Sequence, residues 1–569
     1  MEYSNNVKGM LGRGKEIKMV NERVLSSTHL QRLKQLEQHF GHDKAYDVDI
    51  SFLADILHCS ERNVSKLMAS LDSRGVINWR PGSGRGRRSQ LTVLKTFKVT
   101  LLSQLEIIAR RGNINRAFQL ATQFEQQNLF QEWLPYWSDS AKNELRKQNT
   151  LMYLVPYNLP EWRPHLAQSS RSIILIESLF DTLVKFDPEQ QKIIPHVAHQ
   201  FYYEDNKVVV RLRNDVTMHN GEPLTAELVK TNLEMRRDTP HPYQLLFRHL
   251  KSIETRGQWV IFHMCQFDPI FIHLLADSHT AIFDFNASAP IGSGPYQIER
   301  VETKRWSLIR NRRYFGLGGH IERAMFWSSD STPDATVHVA EHPYFEDQLG
   351  KVEDIDHSGC TVLQFHHHSK GLSLKERAWI VHHCRKFIGE NNMDAANSIM
   401  PTHQKKGFHL FNQEMSAPHR PIKIAVKDCH EMEVSPLLDA LAAKGVAWQL
   451  LDKEQTDVIP DLSYDCYVFS DDLAFQYYEW LLSGEIFTLC LPEKSKQSLL
   501  TFINMLMQES DDSQDFLYKL YRAEDWLIQN YYYCPLWRNH FSVSRADNLY
   551  GTETSNMGVM SLVKMWLED

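Results

Sequence analysis

The sequence predicts an α/β multidomain protein that opens on a small helical module, and three observations carry this. The chain has 569 residues, enough for roughly three or more units of about 100 to 200 residues each. Three short amphipathic segments follow one another before residue 75, with two strand-like runs behind them. Beyond residue 150 the pattern turns to short strands and helices, rich in aromatics and without a repeat of about 20 to 50 residues.

Composition excludes several classes. With 42% hydrophobic and 23% charged residues the chain is ordinary for folded protein, neither disordered nor collagen-like. Its longest apolar runs, such as Ile173 to Ile176, are far short of the ~18 to 20 residues that cross a bilayer, so no membrane partner is expected. Residues 1–25, read as an N-terminal extension, hold Lys8, Arg13, Lys15, Lys18 and Arg23 but no apolar run of about 7 to 15 residues. No secretory signal is therefore expected, and a cytoplasmic location follows. Cys59, Cys265, Cys360, Cys384, Cys429, Cys466, Cys490 and Cys534 lie far apart without a C-x-x-C pair, which suits reduced thiols.

The net charge of −7 hides an asymmetry: the first 100 residues carry 17 Lys and Arg against 10 Asp and Glu, the remainder 46 against 60. A basic segment on an acidic protein directs attention to nucleic acid there. Between residues 26 and 95 the pattern supports it. Ser27 to Phe40 places Leu30, Leu33, Leu36 and Phe40 on one stripe. Ile50 to Leu57 repeats the device with Leu53, Ile56 and Leu57. His58 and Cys59 make a turn, Ser60 is an N-cap, and Val64, Leu67, Met68 and Leu71 line a third helix that closes at Gly75. Val76 to Arg80, the turn Pro81-Gly82-Ser83-Gly84, and the run through Leu91, Val93 and Leu94 form a two-stranded hairpin. The whole reads as a winged helix-turn-helix.

Such a module reads base edges from the outer face and N-terminal half of its recognition helix, here Arg62, Asn63, Ser65 and Lys66. Arg pairs bidentately with guanine, Asn with adenine, and Lys neutralises phosphate. Arg85, Arg87 and Arg88 on the wing meet phosphates or a minor groove. Double-stranded promoter DNA is the expected partner; a protein-interaction module with a solvated basic hairpin is the alternative. Residues 96–145 read as a polar helical connector, with Leu101, Leu102, Leu105, Ile108 and Ala109 on one side, that packs on its own domains or supports a homodimer.

From residue 146 to 569 two blocks stand out. RSIILIESLFDTLVKFDPEQQKIIP (Arg171 to Pro195) leads to the strand Val208 to Leu212 and then to Leu212, Arg213, Val216, His219, Gly221, Pro223, Thr225 and Ala226. PIGSGPYQIERVETKRWSLIRNRRYFG spans Pro290 to Gly316. Both resemble the oligopeptide/nickel-type solute-binding proteins of bacterial ABC transporters, with their "LR-x-x-V-x-x-H-x-G-x-P-x-t-A", "P-x-G-T-G-P-Y" and "N-x-x-Y-x-G" signatures; Ser293 stands where Thr is usual. The resemblance implies a two-lobed, periplasmic-binding-protein-like domain of the type II solute-binding fold. Physically, Asn220 to Pro223 is a turn into a helix capped by Thr225, and Gly292, Gly294 and Pro295 permit a tight strand entry.

A winged helix with the sequence CSERNVSKLMASLDSRGVINW, fused to such a domain, resembles the SgrR family of bacterial transcription regulators. That resemblance implies a regulator of the sugar-phosphate stress response that senses a small-molecule effector in its solute-binding part. Candidate ligand residues are Arg163, with His165 and Arg171, at the start of the domain, and Asp471 or Asp472. The last two lie where peptide-binding relatives have "W-x-x-D-y-x-D-P", but Trp and Pro are missing here. Trp480, with Trp537 and Tyr533, offers an aromatic face for a sugar ring. His366-His367-His368 is expected in a solvated loop, since three adjacent histidines cannot face one ion, and no metal or other cofactor is assigned. No G-x-S-x-G, Walker loop, H-E-x-x-H or dinucleotide fingerprint occurs, so an enzyme is not expected. An ABC-type solute (peptide) receptor whose winged helix binds protein remains the alternative.

Overall fold

A computed structural model describes residues 24–82, 88–110, 114–127, 129–130, 149–155, 157–302, 305–328, 351–368, 370–403, 414–427, 431–453, 458–545, 549–552 and 561–568. The chain divides into two units, residues 1–148 and 149–569.

In the first unit, helix α1 (Ser27–Phe40) buries Leu30, Leu33, Leu36 and Phe40, the predicted stripe. The Ser26 hydroxyl accepts the His29 N–H at its start, and Gly41, with φ of 69°, turns the chain out of its end. Strand β1 (Ala45–Val48), helix α2 (Ile50–Ile56), helix α3 (Glu61–Asp72), strand β2 (Ile77–Arg80) and strand β3 (Ser89–Val93) follow. Val64, Met68 and Leu71 are the buried face of α3. Ser60 holds the N-cap position with extended backbone, but its side chain makes no capping hydrogen bond, contrary to expectation. The wing has three strands, not two, in the order β1-β3-β2. Only Val48 of β1 is buried, so four residues with no apolar alternation left β1 invisible in the sequence.

Helices α4 (Phe97–Arg110) and α5 (Ile114–Gln123) lie in the predicted connector and pack onto this winged helix. The Gln104 side-chain oxygen accepts the Leu25 N–H at 2.6 Å, Glu37 of α1 accepts the Phe97 N–H at 2.5 Å, and the Phe97 and Phe124 rings meet edge to face at 5.2 Å. Residues 131–145 of the connector and all but the last residues of the N-terminal extension lie outside the described residues.

The second unit begins with β4 (Thr150–Val155), α6 (Ser170–Leu179), the hairpin β5 (Val184–Asp187) and β6 (Lys192–Pro195), then β7 (Ala198–Glu204), β8 (Lys207–Leu212), α7 (Ala226–Asp238), β9 (Leu250–Arg256), β10 (Trp259–Met264) and the short α8 (Phe271–Leu274). Strands β11 (Tyr296–Glu302), β12 (Arg305–Arg310) and β13 (Arg323–Ser328) make a four-stranded sheet with β4 in the order β11-β12-β13-β4. The last part comprises β14 (Lys351–Phe365), α9 (Leu374–Glu390), β15 (Ile422–Val426), α10 (Glu431–Ala442), β16 (Trp448–Asp452), β17 (Leu462–Tyr467), α11 (Leu473–Ser483), α12 (Glu493–Gln508), α13 (Ser513–Gln529), β18 (Tyr533–Arg545), β19 (Leu549–Tyr550) and β20 (Trp566–Leu567). Its sheet runs β16-β15-β17-β14-β18, with parallel pairing on both sides of β15. Leu549, Leu562 and Met565 join the core of the β4 sheet, so the end of the chain returns to the first lobe. The antiparallel sheet β7-β8-β10-β9 shares one core with α11, α12 and α13.

The two signature blocks meet in space, although more than 60 residues separate them. The His219 N–H donates to Gly292 O at 2.7 Å, its ring nitrogens face Gly292 N and Gly294 O, and Asn311 donates its amide to Gly294 O at 2.9 Å. A Cβ on Gly292 would lie 2.2 Å from the Phe180 ring, and one on Gly294 2.4 Å from the Leu179 carbonyl carbon. Close packing against the end of α6 is thus why these positions take glycine. Thr225 caps α7 through the Leu228 N–H, as its place in the signature predicts. The histidine run departs from the expected solvated loop: it leaves the end of β14, with His366 buried on Ser463 and His368 half-buried on Asp461, and only His367 is exposed. The strand pulls the first of the three inside.

Candidate functional site

Two surfaces carry functional chemistry. On α3, Arg62, Asn63, Ser65 and Lys66 are all exposed on the face opposite Val64 and Met68, because a 3.6-residue period separates the two sets. The Ser65 hydroxyl donates to the Glu61 carbonyl at 3.2 Å, which engages it within the helix. Arg88 stands at the base of the wing, 3.3 Å from Asp49, with both side chains more than half exposed. Arg85 and Arg87 lie outside the described residues. Sequence reasoning passed over Lys44 and Arg80, exposed beside β1 and on β2; single basic residues bordering strands give no pattern of their own.

The second surface is a cleft of about 2270 Å³ in the second unit. One wall comes from residues 157–317 together with 561–564, the other from residues 427–489. Ten carboxylates line it against six Lys and Arg residues, so its chemistry is acid-rich. Arg171, Lys185, Lys427 and Lys564 line it without a salt bridge among the described residues, and the Arg171 guanidinium lies over the Tyr157 ring at 4.4 Å.

The predicted ligand residues separate. Arg171 and Asp471 line the cleft. Arg163 does not: it is exposed and pairs bidentately with Glu161 at 2.9 and 2.7 Å. Asp472 borders the cleft but is engaged on both oxygens, capping α11 through the Phe475 N–H and meeting His273 Nδ1 at 2.6 Å. Trp480 is not an open aromatic platform: it is 4% exposed, one face stacks on Tyr477 at 5.7 Å, and the Tyr533 ring abuts it edge-on. Its indole N–H, at the cleft border, has no hydrogen-bond partner among the described residues. Tyr533 and Trp537 are buried, bound to Glu524 and Glu433. Helix α11 faces the core on most of its surface, which an aromatic-rich sequence does not disclose.

Three polar clusters along the cleft were not singled out from sequence. Asp181 accepts from Ser293 at 2.8 Å and Tyr314 at 3.0 Å and meets His196 at 2.7 Å. Burial alone would raise its pKa; the hydrogen bond and charge of His196, with the Lys185 charge and the Ser293 hydroxyl, outweigh it and hold Asp181 below the usual carboxylate range, while burial keeps the His196 pKa low. On the opposite wall Lys453 bridges Asp465 and Glu485. Burial of Glu485 is outweighed by His366 and Lys453, which take its pKa down to about 2. Third, Asp277, His279 and Glu479 converge within 4.8 Å of one another. Burial, with Asp277 beside it, pushes Glu479 up to about 7. Each cluster joins residues far apart in the chain, so no spacing could have announced it.

Residues 28–143 match the family described as "Sugar transport-related sRNA regulator N-term" (SgrR_N), and residues 192–337 match "Bacterial extracellular solute-binding proteins, family 5 Middle". The chain is 23% identical to the HTH-type transcriptional regulator SgrR of Photorhabdus laumondii over 74% of this chain and 77% of that protein. It is 21% identical to the SgrR of Yersinia pestis (strain Pestoides F) over 95% and 99%, and 21% identical to the uncharacterized protein YhjP of Bacillus subtilis over 92% and 96%. Among solved structures, the Escherichia coli murein tripeptide binding protein MppA superposes with a TM-score of 0.60 at 15% identity, covering 74% of this chain and 98% of that one. NikA from Staphylococcus aureus, in complex with Ni(L-His)2, gives 0.58 at 15%, covering 74% and 100%. The second unit therefore has the solute-binding fold.

Proposed function

We propose that this chain, which carries the domain pair of the SgrR family, is a transcription regulator that binds promoter DNA through its winged helix and responds to a small solute held in its cleft. The observation that carries the reading is a recognition helix with Arg62, Asn63 and Lys66 turned outward, on the same chain as a two-walled solute-binding cleft. It works by binding, without turnover, and in the cytoplasm. No helix among the described residues is long and apolar enough to cross a membrane, which accords with that location.

For the effector, a sugar phosphate is the finer reading: Arg171, Lys185, Lys427 and Lys564 supply cationic contacts for a phosphate dianion. The acid excess of the same walls favours a second reading, a peptide or other amine-bearing solute with its cation near Asp471 and Glu177. Selection of full-length protein on random duplexes, followed by anisotropy titrations with sugar phosphates, free sugars and short peptides, tests both levels. A consensus duplex whose affinity shifts about 5- to 150-fold with one solute class is expected. Binding with no preference over bulk DNA sinks the regulator reading.

A further inference from the structure

The two walls of the cleft bring together a cluster of metal-ligating side chains that the regulator reading does not use. His279 is 8% exposed, and its Nε2 faces the Ala167 carbonyl oxygen at 3.2 Å. A carbonyl only accepts, so Nε2 carries a proton, while Nδ1 points the other way. There it donates to Asp277 Oδ1 at 2.5 Å, with Glu479 Oε1 at 3.9 Å, so the proton between them occupies the place a bound cation would take. The outer oxygens of both carboxylates are held back by one amide: Gln476 Nε2 donates to Glu479 Oε2 at 2.8 Å and to Asp277 Oδ2 at 3.3 Å. The Tyr243 ring packs on the imidazole at 3.7 Å, and Arg236 fixes the His279 carbonyl at 2.9 Å.

We propose that Asp277, His279 and Glu479 bind one divalent first-row transition-metal ion, zinc by the chemistry of the donor set. One imidazole nitrogen and two carboxylates, each oriented by an outer hydrogen bond, match the ligands and supporting shell such ions use, whereas magnesium and calcium favour oxygen alone. Two atoms bound tetrahedrally at about 2.0 to 2.1 Å lie about 3.3 Å apart, so loading moves the Asp277 carboxylate outward from its present hydrogen bond. All three residues line the cleft. An ion there converts an acidic patch into an acceptor for an anionic solute. The inference is separable from the regulator reading, because its assay contains neither DNA nor effector.

The test uses full-length protein stripped with chelator and titrated calorimetrically with zinc chloride, with magnesium chloride as the comparison. One zinc per chain is expected, with X-ray absorption showing nitrogen and oxygen neighbours and no sulfur. E479Q and H279Q should each weaken zinc at least about 100-fold, and Q476A, which removes only the outer amide, about 10- to 100-fold. H367A, at the exposed member of the histidine run, should leave it unchanged. Circular dichroism of each variant separates loss of the site from loss of fold, and the wild-type spectrum needs no variant. Absence of stoichiometric zinc, sulfur in the shell, or affinity unchanged in either folded E479Q or H279Q overturns the site.

Discussion

The recognition helix and the cleft handle polar side chains in opposite ways. On α3 the side chains of Arg62, Asn63 and Lys66 stand exposed with no hydrogen bond or ion pair among the described residues, and Ser65 bonds only within its own helix, so these donors wait for a partner. Along the cleft several carboxylates already have partners inside the fold: Asp181 with three, Glu485 with Lys453, Asp472 with His273. Changes on α3 should therefore alter binding and leave stability alone, whereas changes around the cleft should alter stability first.

The largest expected effect lies in the second unit. Glu524 is fully buried and accepts from Ser398, Tyr477, Tyr533 and the Ile399 N–H. Glu524→Ala leaves four buried donors without their acceptor and should lower the stability of that unit by about 3 to 5 kcal/mol in urea denaturation. DNA affinity measured below the transition should not change; a parallel loss of DNA affinity would break the contrast between the two regions.

Acid should act on the same unit. Because Glu485 is held near pH 2 against an ordinary 4.5, its contribution is complete above 4.5 and is lost as pH falls toward 2. The difference corresponds to roughly 3 kcal/mol. Lys453→Met should raise the Glu485 pKa and move acid unfolding, followed by tryptophan fluorescence, to higher pH; an unmoved midpoint would show that the Lys453 bridge does not govern it.

On the first unit, Arg62→Ala or Asn63→Ala should remove about 1 to 3 kcal/mol of discrimination at one operator position with no change in melting temperature. Lys66→Ala should weaken all duplexes alike and reduce the salt slope by about 0.9. The smallest effect is expected at Arg163→Ala, where the side chain is exposed, does not line the cleft and is paired with Glu161. Solute affinity should stay within twofold, whereas Arg171→Ala should weaken an anionic solute; equal losses in both would redraw the cleft wall.

The sequence by itself determined the elements whose information is local. The stripe Leu30, Leu33, Leu36, Phe40 gave α1 at its observed bounds, Thr225 capped α7, and the spacing of Arg62, Asn63 and Lys66 against Val64 and Met68 placed them outward. The signature glycines at 292 and 294 marked a close approach before the approaching residues, Leu179 and Phe180, could be known. Tertiary structure decided everything that depends on which distant segments touch. It drew β1 into the wing, turned His366 inward, packed Trp480 between Tyr477 and Tyr533, and engaged Asp472 as a cap and partner of His273. It also assembled Asp277, His279 and Glu479 across some 200 residues of chain. The physical reason is range: helix periodicity, caps and tight turns are set by neighbours within four residues, whereas burial, pairing and the protonation of a carboxylate are set by whatever the fold brings within a few ångströms.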